Sequence, residues 1–193
     1  MTEESGSGKS SRRRISPVLL LPPLLFALLA GMFLWGMGRE SPDALPYARE
    51  GGPVPVLDLV PLAGKEPFGR EDLTGPGVKL VNYWASWCAP CRVEHPSLLE
   101  LQAEGIPIYG INYKDKPENG LAFLAELGDP FVKVAADPSG RNAIEWGLYG
   151  VPETYVIDGS GRVVLRFAGP ITRRVLDETI RPAIARAAAR SGE

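Results

Sequence analysis

The sequence predicts an α/β domain, a mixed β-sheet flanked by helices, preceded by one apolar N-terminal helix. Three observations carry that reading. Short apolar runs alternate with helical patterns from residue 54 onward. The last two runs are joined by the turn DGSG (158–161) and read as an antiparallel hairpin. Before the domain, residues 15–38 carry no charge at all.

In chain order, residues 1–14 hold Lys9, Arg12, Arg13 and Arg14 against Glu3 and Glu4. The run ISPVLLLPPLLFALLAGMFLWGMG (15–38) is long enough as a helix, about 35 Å, for a hydrocarbon core of about 30 Å. Pro22 and Pro23 are expected to kink it, and Trp35 falls where an interfacial ring is expected. The arginines place residues 1–14 in the cytoplasm and the rest of the chain beyond Arg39 outside, with a retained transmembrane anchor between them. A cleaved secretory signal is the rival reading, but Leu28-Leu29-Ala30 is a poor processing site. A twin-arginine signal at Ser11-Arg12-Arg13-Arg14 has nothing else to strengthen it. All three readings deliver the domain to the same oxidising compartment.

Residues 39–53, rich in Pro, Gly and charge, read as a linker to a domain over 54–193. Strands are expected at 54–60 (pairing with a short strand near Phe68), 78–84, 106–113, 132–136, 154–158 and 162–169. Helices are expected over Ala89–Gly105, with Val93, Leu98, Leu99 and Leu101 as its apolar face, and over Pro117–Leu127, closed by Gly128. Ser139–Trp146 and Thr172–Arg190 complete the set, with Thr172 as N-cap of the last.

The formal net charge is −2, and from Ser41 onward 16 basic residues face 20 acidic ones, so nothing points to nucleic-acid binding. The chain has 2 cysteines, too few for a disulfide-stapled scaffold. They are Cys88 and Cys91, in ASWCAPCRVEHP (85–96).

Cys88 directly follows an apolar strand and opens a predicted helix. A thiolate there faces unpaired N–H groups and the positive end of the helix dipole, and the thiolate is the form that attacks disulfides. Cys88 is therefore expected to be the exposed nucleophile. Cys91, one turn further in and more buried, is placed to resolve the mixed disulfide. Pro90 suits the first helical turn.

The competing readings are weaker. A disulfide closing a two-residue gap constrains little of the unfolded chain. A metal site needs about four ligands, and His95, the only histidine, would bring the set to three. Arg92 occupies the histidine position of a haem-attachment motif. A redox dithiol needing no metal and no cofactor remains.

WCAPCRVEHP resembles the thioredoxin-family active site, with Pro96 as the later helix proline. Thioredoxin-like proteins carry a cis proline beside the dithiol. VPETYVID nominates Pro152, preceded by Val151, as an edge to which an extended substrate adds as a strand. Behind an N-terminal anchor, NYWASWCAPCRVEHP, GINYKD (110–115) and LYGVPETYVIDGSGRV (148–163) resemble the DsbE/CcmG family of membrane-anchored, thioredoxin-like thiol:disulfide interchange proteins. The resemblance covers about residues 54–185.

It implies a periplasmic reductase of cytochrome c maturation. A transmembrane thiol reductant would supply its electrons. Its acceptor would be the oxidised CxxCH cysteines of apocytochrome c, or of the maturation protein carrying them. Thioredoxin has a buried aspartate in the preceding strand where this chain has Asn82. Glu94, three residues after Cys91, is the candidate proton acceptor in its stead, and the family also has an acidic residue there. Glu153 would form a second acidic wall, with Trp87 as an apolar rim for substrate. The bland alternative leaves both carboxylates solvated on the surface. Trp84 reads as core, His95 and Arg92 as helix-surface residues, Arg173 and Arg174 as an exposed charge pair; Tyr113-Lys114-Asp115 acquires no role.

The pair Ala89-Pro90 puts no polar group between the cysteines, which leans toward a reductant. Two rivals survive: a broader disulfide oxidoreductase of the same fold, oxidases included, and a copper or other metal carrier using Cys88, Cys91 and His95.

Overall fold

The structure, a computed structural model, describes residues 21–37 and 50–191. Two units separate, Met1–Leu45 and Pro46–Glu193. In the first, α1 (Leu21–Met37) is one helix of 17 residues. Pro22 and Pro23 lie at the beginning of its described stretch. Its leucines and Phe26 are exposed. No helix among the described residues is long and apolar enough to cross a membrane, and residues 15–20 and 38 of the span expected over 15–38 lie outside the described residues. Residues 1–20 and 38–49, including the expected cytoplasmic segment and most of the linker, lie outside the described residues.

The second unit is built on a six-stranded sheet: β1 (Val60–Pro61), β2 (Lys79–Trp84), β3 (Ile108–Tyr113), β4 (Lys133–Asp137), β5 (Glu153–Ile157) and β6 (Val163–Ala168). The strand order is β1-β4-β3-β2-β5-β6. β2, β3 and β4 are parallel, while β1, β5 and β6 join antiparallel, which makes the expected mixed sheet. Between the strands run α2 (Arg70–Leu73), α3 (Ala89–Ala103), α4 (Pro117–Leu127) and α5 (Arg141–Trp146). The C-terminal helix is composite: α6 (Arg173–Val175), a π-helical turn (Leu176–Ile180) and α7 (Arg181–Ser191). Thr172 caps it, its hydroxyl accepting from the Val175 N–H. The fold is thioredoxin-like.

The strand expected over 54–60 is a correction. Only Val60–Pro61 pairs, with Ala135 and Ala136 of β4. Pro55 lacks the N–H that a ladder needs, and ahead of it the chain makes one isolated antiparallel bridge, Pro53 with Arg162, closed by bonds such as Val54 N–H to the Gly161 carbonyl. Phe68 lies in no strand; it is buried, its ring 5.0 Å from that of Tyr109.

Strand alternation sorts the core into two layers. Leu80 and Trp84 of β2 and Val156 of β5 face α3, α4 and the C-terminal helix. Val81, Tyr83, Tyr155 and Ile157 face Leu73 of α2 and Ala143 and Trp146 of α5. Gly110 of β3 lets the Phe131 ring lie against the strand, since a Cβ there would come within 2.8 Å of it. That ring in turn stacks on Trp84 with centroids 5.6 Å apart. Leu98 and Leu101 of α3 are fully buried, each worth about 1.5–3 kcal/mol.

Candidate redox site

The buried stripe of α3 is Cys91, Glu94, His95, Leu98 and Leu101, at helical spacing. Val93, expected on the apolar face, is exposed, and two polar residues take core positions in its stead. Ala85–Trp87 leads from the C-terminal end of β2 into this helix, so Cys88 arrives as its N-cap. The Cys88 sulfur accepts the Cys91 N–H at 3.1 Å. Pro90, inside the first turn, has no N–H to compete. Cys88 and Cys91 form a disulfide.

Cys88 is 3% exposed and Cys91 2%, so the expected contrast between an exposed and a buried sulfur is absent in this form. In the disulfide both sulfurs pack into the α3-side core beside Trp84 and Ala85. What distinguishes them is the cap: the first sulfur holds the helix N-terminus, the second does not. Trp87 is exposed and its indole N–H donates to the Lys114 carbonyl at 3.1 Å. Trp84 is core, as expected.

Glu94 is 0% exposed. Asn82 Nδ2 donates to one carboxyl oxygen at 2.8 Å and to the Thr154 hydroxyl at 3.0 Å. The Ile171 N–H donates to the other at 3.1 Å. Burial outweighs these bonds and pushes the carboxyl up to about 7. Because folding favours the protonated form, Glu94 subtracts stability as pH rises from about 4.5 toward 7. Asn82 thus stands beside Glu94, on the α3 face of the sheet.

Pro152 is preceded by a cis peptide bond, as expected, and Val151 is half-buried against the core. Glu153 is fully buried but faces the other layer, together with Tyr155. There it pairs with the Nε of buried Arg166. The Tyr149 N–H donates to its second oxygen at 3.2 Å. The Tyr155 hydroxyl lies 3.0 Å from both Glu153 and the Trp146 carbonyl and shares its one proton between them. Arg166 also stacks at 4.5 Å over the Tyr149 ring. Glu153 is therefore neither a solvated carboxylate nor an open acidic wall. It anchors from below the loop that carries Val151 and Pro152.

His95 is a further correction. It is buried, its Nε2 is 2.9 Å from the Gly128 carbonyl and its ring sits edge-on to Phe123. Burial holds its pKa below the ordinary value. Arg92 is exposed and paired with Glu126 at 2.8 Å. Arg173 reaches Glu100 on α3, and Arg174 lies 3.9 Å from Glu178.

A Redoxin family model matches residues 49–180. The chain is 46% identical over 169 residues to the thiol:disulfide interchange protein HelX of Rhodobacter capsulatus, covering 88% of this chain and 96% of HelX. It is 49% identical over 176 residues to the DsbE homologue of Paracoccus denitrificans, covering 91% and 98%. This chain belongs to the DsbE family of thiol:disulfide interchange proteins. Among solved structures, a DsbE-type protein from Chlorobium tepidum superposes with a TM-score of 0.60 at 30% identity, covering 72% of this chain and 97% of that one. The disulfide between Cys88 and Cys91 is accordingly that of a thiol:disulfide oxidoreductase.

Three contributors to this DsbE-family site escape the sequence reading. Thr154 shares Asn82 with Glu94. Arg166 neutralises Glu153 from the hairpin partner, and was within reach: β6 is otherwise apolar, and the pairing of Tyr155 with Arg166 puts it on an inward face. Asp115, in the loop after β3, bonds Ser86 next to the dithiol, and no periodicity marks it.

Proposed function

We propose that this DsbE-family chain is a reductant of disulfide-bonded CxxCH segments of apocytochrome c, or of the maturation protein that carries them. It works on the periplasmic side of the inner membrane, tethered by residues 15–38 and recharged by a transmembrane thiol reductant. The observation that carries the reading is the Cys88 sulfur at the N-cap of α3, bridged to Cys91 with Glu94 on the same buried stripe. The likeness to HelX and DsbE over nearly the whole chain supports it. So does the apolar run 15–38, since tethering raises the local concentration of donor and acceptor.

In the reduced protein the Cys88 thiolate attacks one substrate sulfur, forming a mixed disulfide and releasing the other as a thiolate. Cys91 gives its proton to Glu94 and attacks Cys88. The Cys88–Cys91 disulfide forms, the mixed disulfide breaks, and the substrate leaves with two electrons as a dithiol, one sulfur taking back through Glu94 the proton Cys91 gave up and the other taking a proton from water. Glu94, titrating near neutrality, can take and return that proton at physiological pH. A metal carrier is poorly served: the two sulfurs are joined, and His95 is committed to the Gly128 carbonyl.

The test is transfer from the reduced protein to a synthetic peptide containing a disulfide-closed Cys-x-x-Cys-His segment. Near-complete reduction of the peptide is expected, with a rate that rises as pH passes about 7, where the Glu94 carboxylate forms. Glu94→Gln should slow it about 10²-fold at neutral pH and flatten that rise. An equilibrium that leaves the peptide oxidised and the protein dithiol intact would mark an oxidase instead.

A further inference from the structure

The residues just before the dithiol are held from outside their own helix. The Asp115 carboxylate accepts four bonds: Ser86 N–H at 2.7 Å, Ser86 hydroxyl at 2.8 Å, Asn112 Nδ2 at 3.0 Å and Lys116 N–H at 2.9 Å. Lys114, next to it, is the one non-glycine residue with positive φ among the described residues, at 45°. Its N–H is tied to the Asp137 carbonyl at 3.0 Å, and its own carbonyl takes the Trp87 indole N–H at 3.1 Å. Ser86 is thus clamped by its backbone and side chain, and Trp87 by its ring nitrogen. Trp87 is nevertheless 58% exposed. A large apolar surface is fixed in place beside Cys88 yet left uncovered.

We propose that Asp115 is a positioning residue for exchange with polypeptide disulfides: by clamping Ser86 it holds Trp87 as a preset apolar plate against which the substrate chain lies. The inference rests on the reading that the dithiol acts on polypeptides, and it names the device that favours them over small disulfides. A free tryptophan would have to give up its rotamer freedom when substrate binds. Holding it beforehand removes that cost, which for one side chain amounts to at most about tenfold in binding. A carboxylate is needed because four donors converge on it. An asparagine has one acceptor oxygen and leaves two of them without a partner. A small disulfide needs only the Cys88 sulfur and gains little from the plate.

The experiment compares rate constants of the reduced full-length chain toward two oxidants, a disulfide-closed Cys-x-x-Cys-His peptide and 2-hydroxyethyl disulfide. Asp115→Asn is expected to lose about tenfold on the peptide and less than threefold on the small disulfide. Ser86→Ala, which removes one of the four bonds, should show the same split in milder form. Added to Trp87→Ala, Asp115→Asn should cost the peptide reaction nothing more. Equal losses on both oxidants, no loss on the peptide, or additive losses in the double variant would each overturn the assignment. A wild-type chain inert toward the peptide but active on the small disulfide would instead refute the underlying reading of function.

Discussion

Replacing Cys91 with serine is expected to turn the protein into a covalent trap, and replacing Cys88 with serine to abolish both trapping and turnover. Either change should lower turnover by at least about 10³-fold, because the two sulfurs act as one unit. The asymmetry follows from the cap. Cys88 alone accepts a backbone N–H at the mouth of α3, so its thiolate is the stabilised one and its bond to substrate forms first. Without Cys91 that bond lacks the protein thiol that would resolve it, and the adduct accumulates. Non-reducing electrophoresis with the disulfide-closed peptide reads the adduct directly. Equal adducts from both variants, or an adduct from Cys88→Ser alone, would reverse the roles.

The second large effect lies on the other side of the sheet. Glu153→Ala is expected to destabilise the domain by about 3–5 kcal/mol, measured as a lower urea midpoint at unchanged slope. Arg166 is 2% exposed, and without the carboxylate its charge would be left buried beside the Tyr149 ring. The loss should come from the cost of a buried charge deprived of its Glu153 partner more than from a vanished attraction. Replacing both residues with apolar ones of similar size, Glu153→Leu with Arg166→Met, should therefore recover much of the deficit. A loss below about 1 kcal/mol for Glu153→Ala would show a pair open to solvent. Because the Tyr149 N–H also rests on Glu153, the single variant should loosen the Tyr149–Pro152 loop as well.

Most of the sheet was legible because its strands are buried on both faces and read as continuous apolar runs. KLVNYW and IYGINY fall within a residue or two of expectation. The N-terminal strand was not, since period and β-propensity do not register that Pro55 lacks a ladder donor. On α3 the apolar pattern misled where it mattered most. Glu94 and His95 hold core positions because each finds a polar partner across the fold, Asn82 and the Gly128 carbonyl, and such partners are invisible along the chain. Glu94 was named from its spacing to Cys91; its burial came from Ile171 and Asn82, 77 and 12 residues away. Asp115 shows the converse: a motif recognised without a role acquires one when the loop after β3 is seen to grip Ser86.

Once the disulfide is reduced, the sulfur capping α3, 3% exposed in the disulfide, is expected to be the ionised nucleophile. Alkylation of the reduced protein with iodoacetamide across pH, with each cysteine followed by mass spectrometry, tests it most directly. Cys88 should react first, along a curve whose midpoint lies well below the value of about 8.5 for a free thiol, while Cys91 stays protected. Modification of Cys91 first, or a Cys88 that reacts no faster than free cysteine at neutral pH, would contradict it.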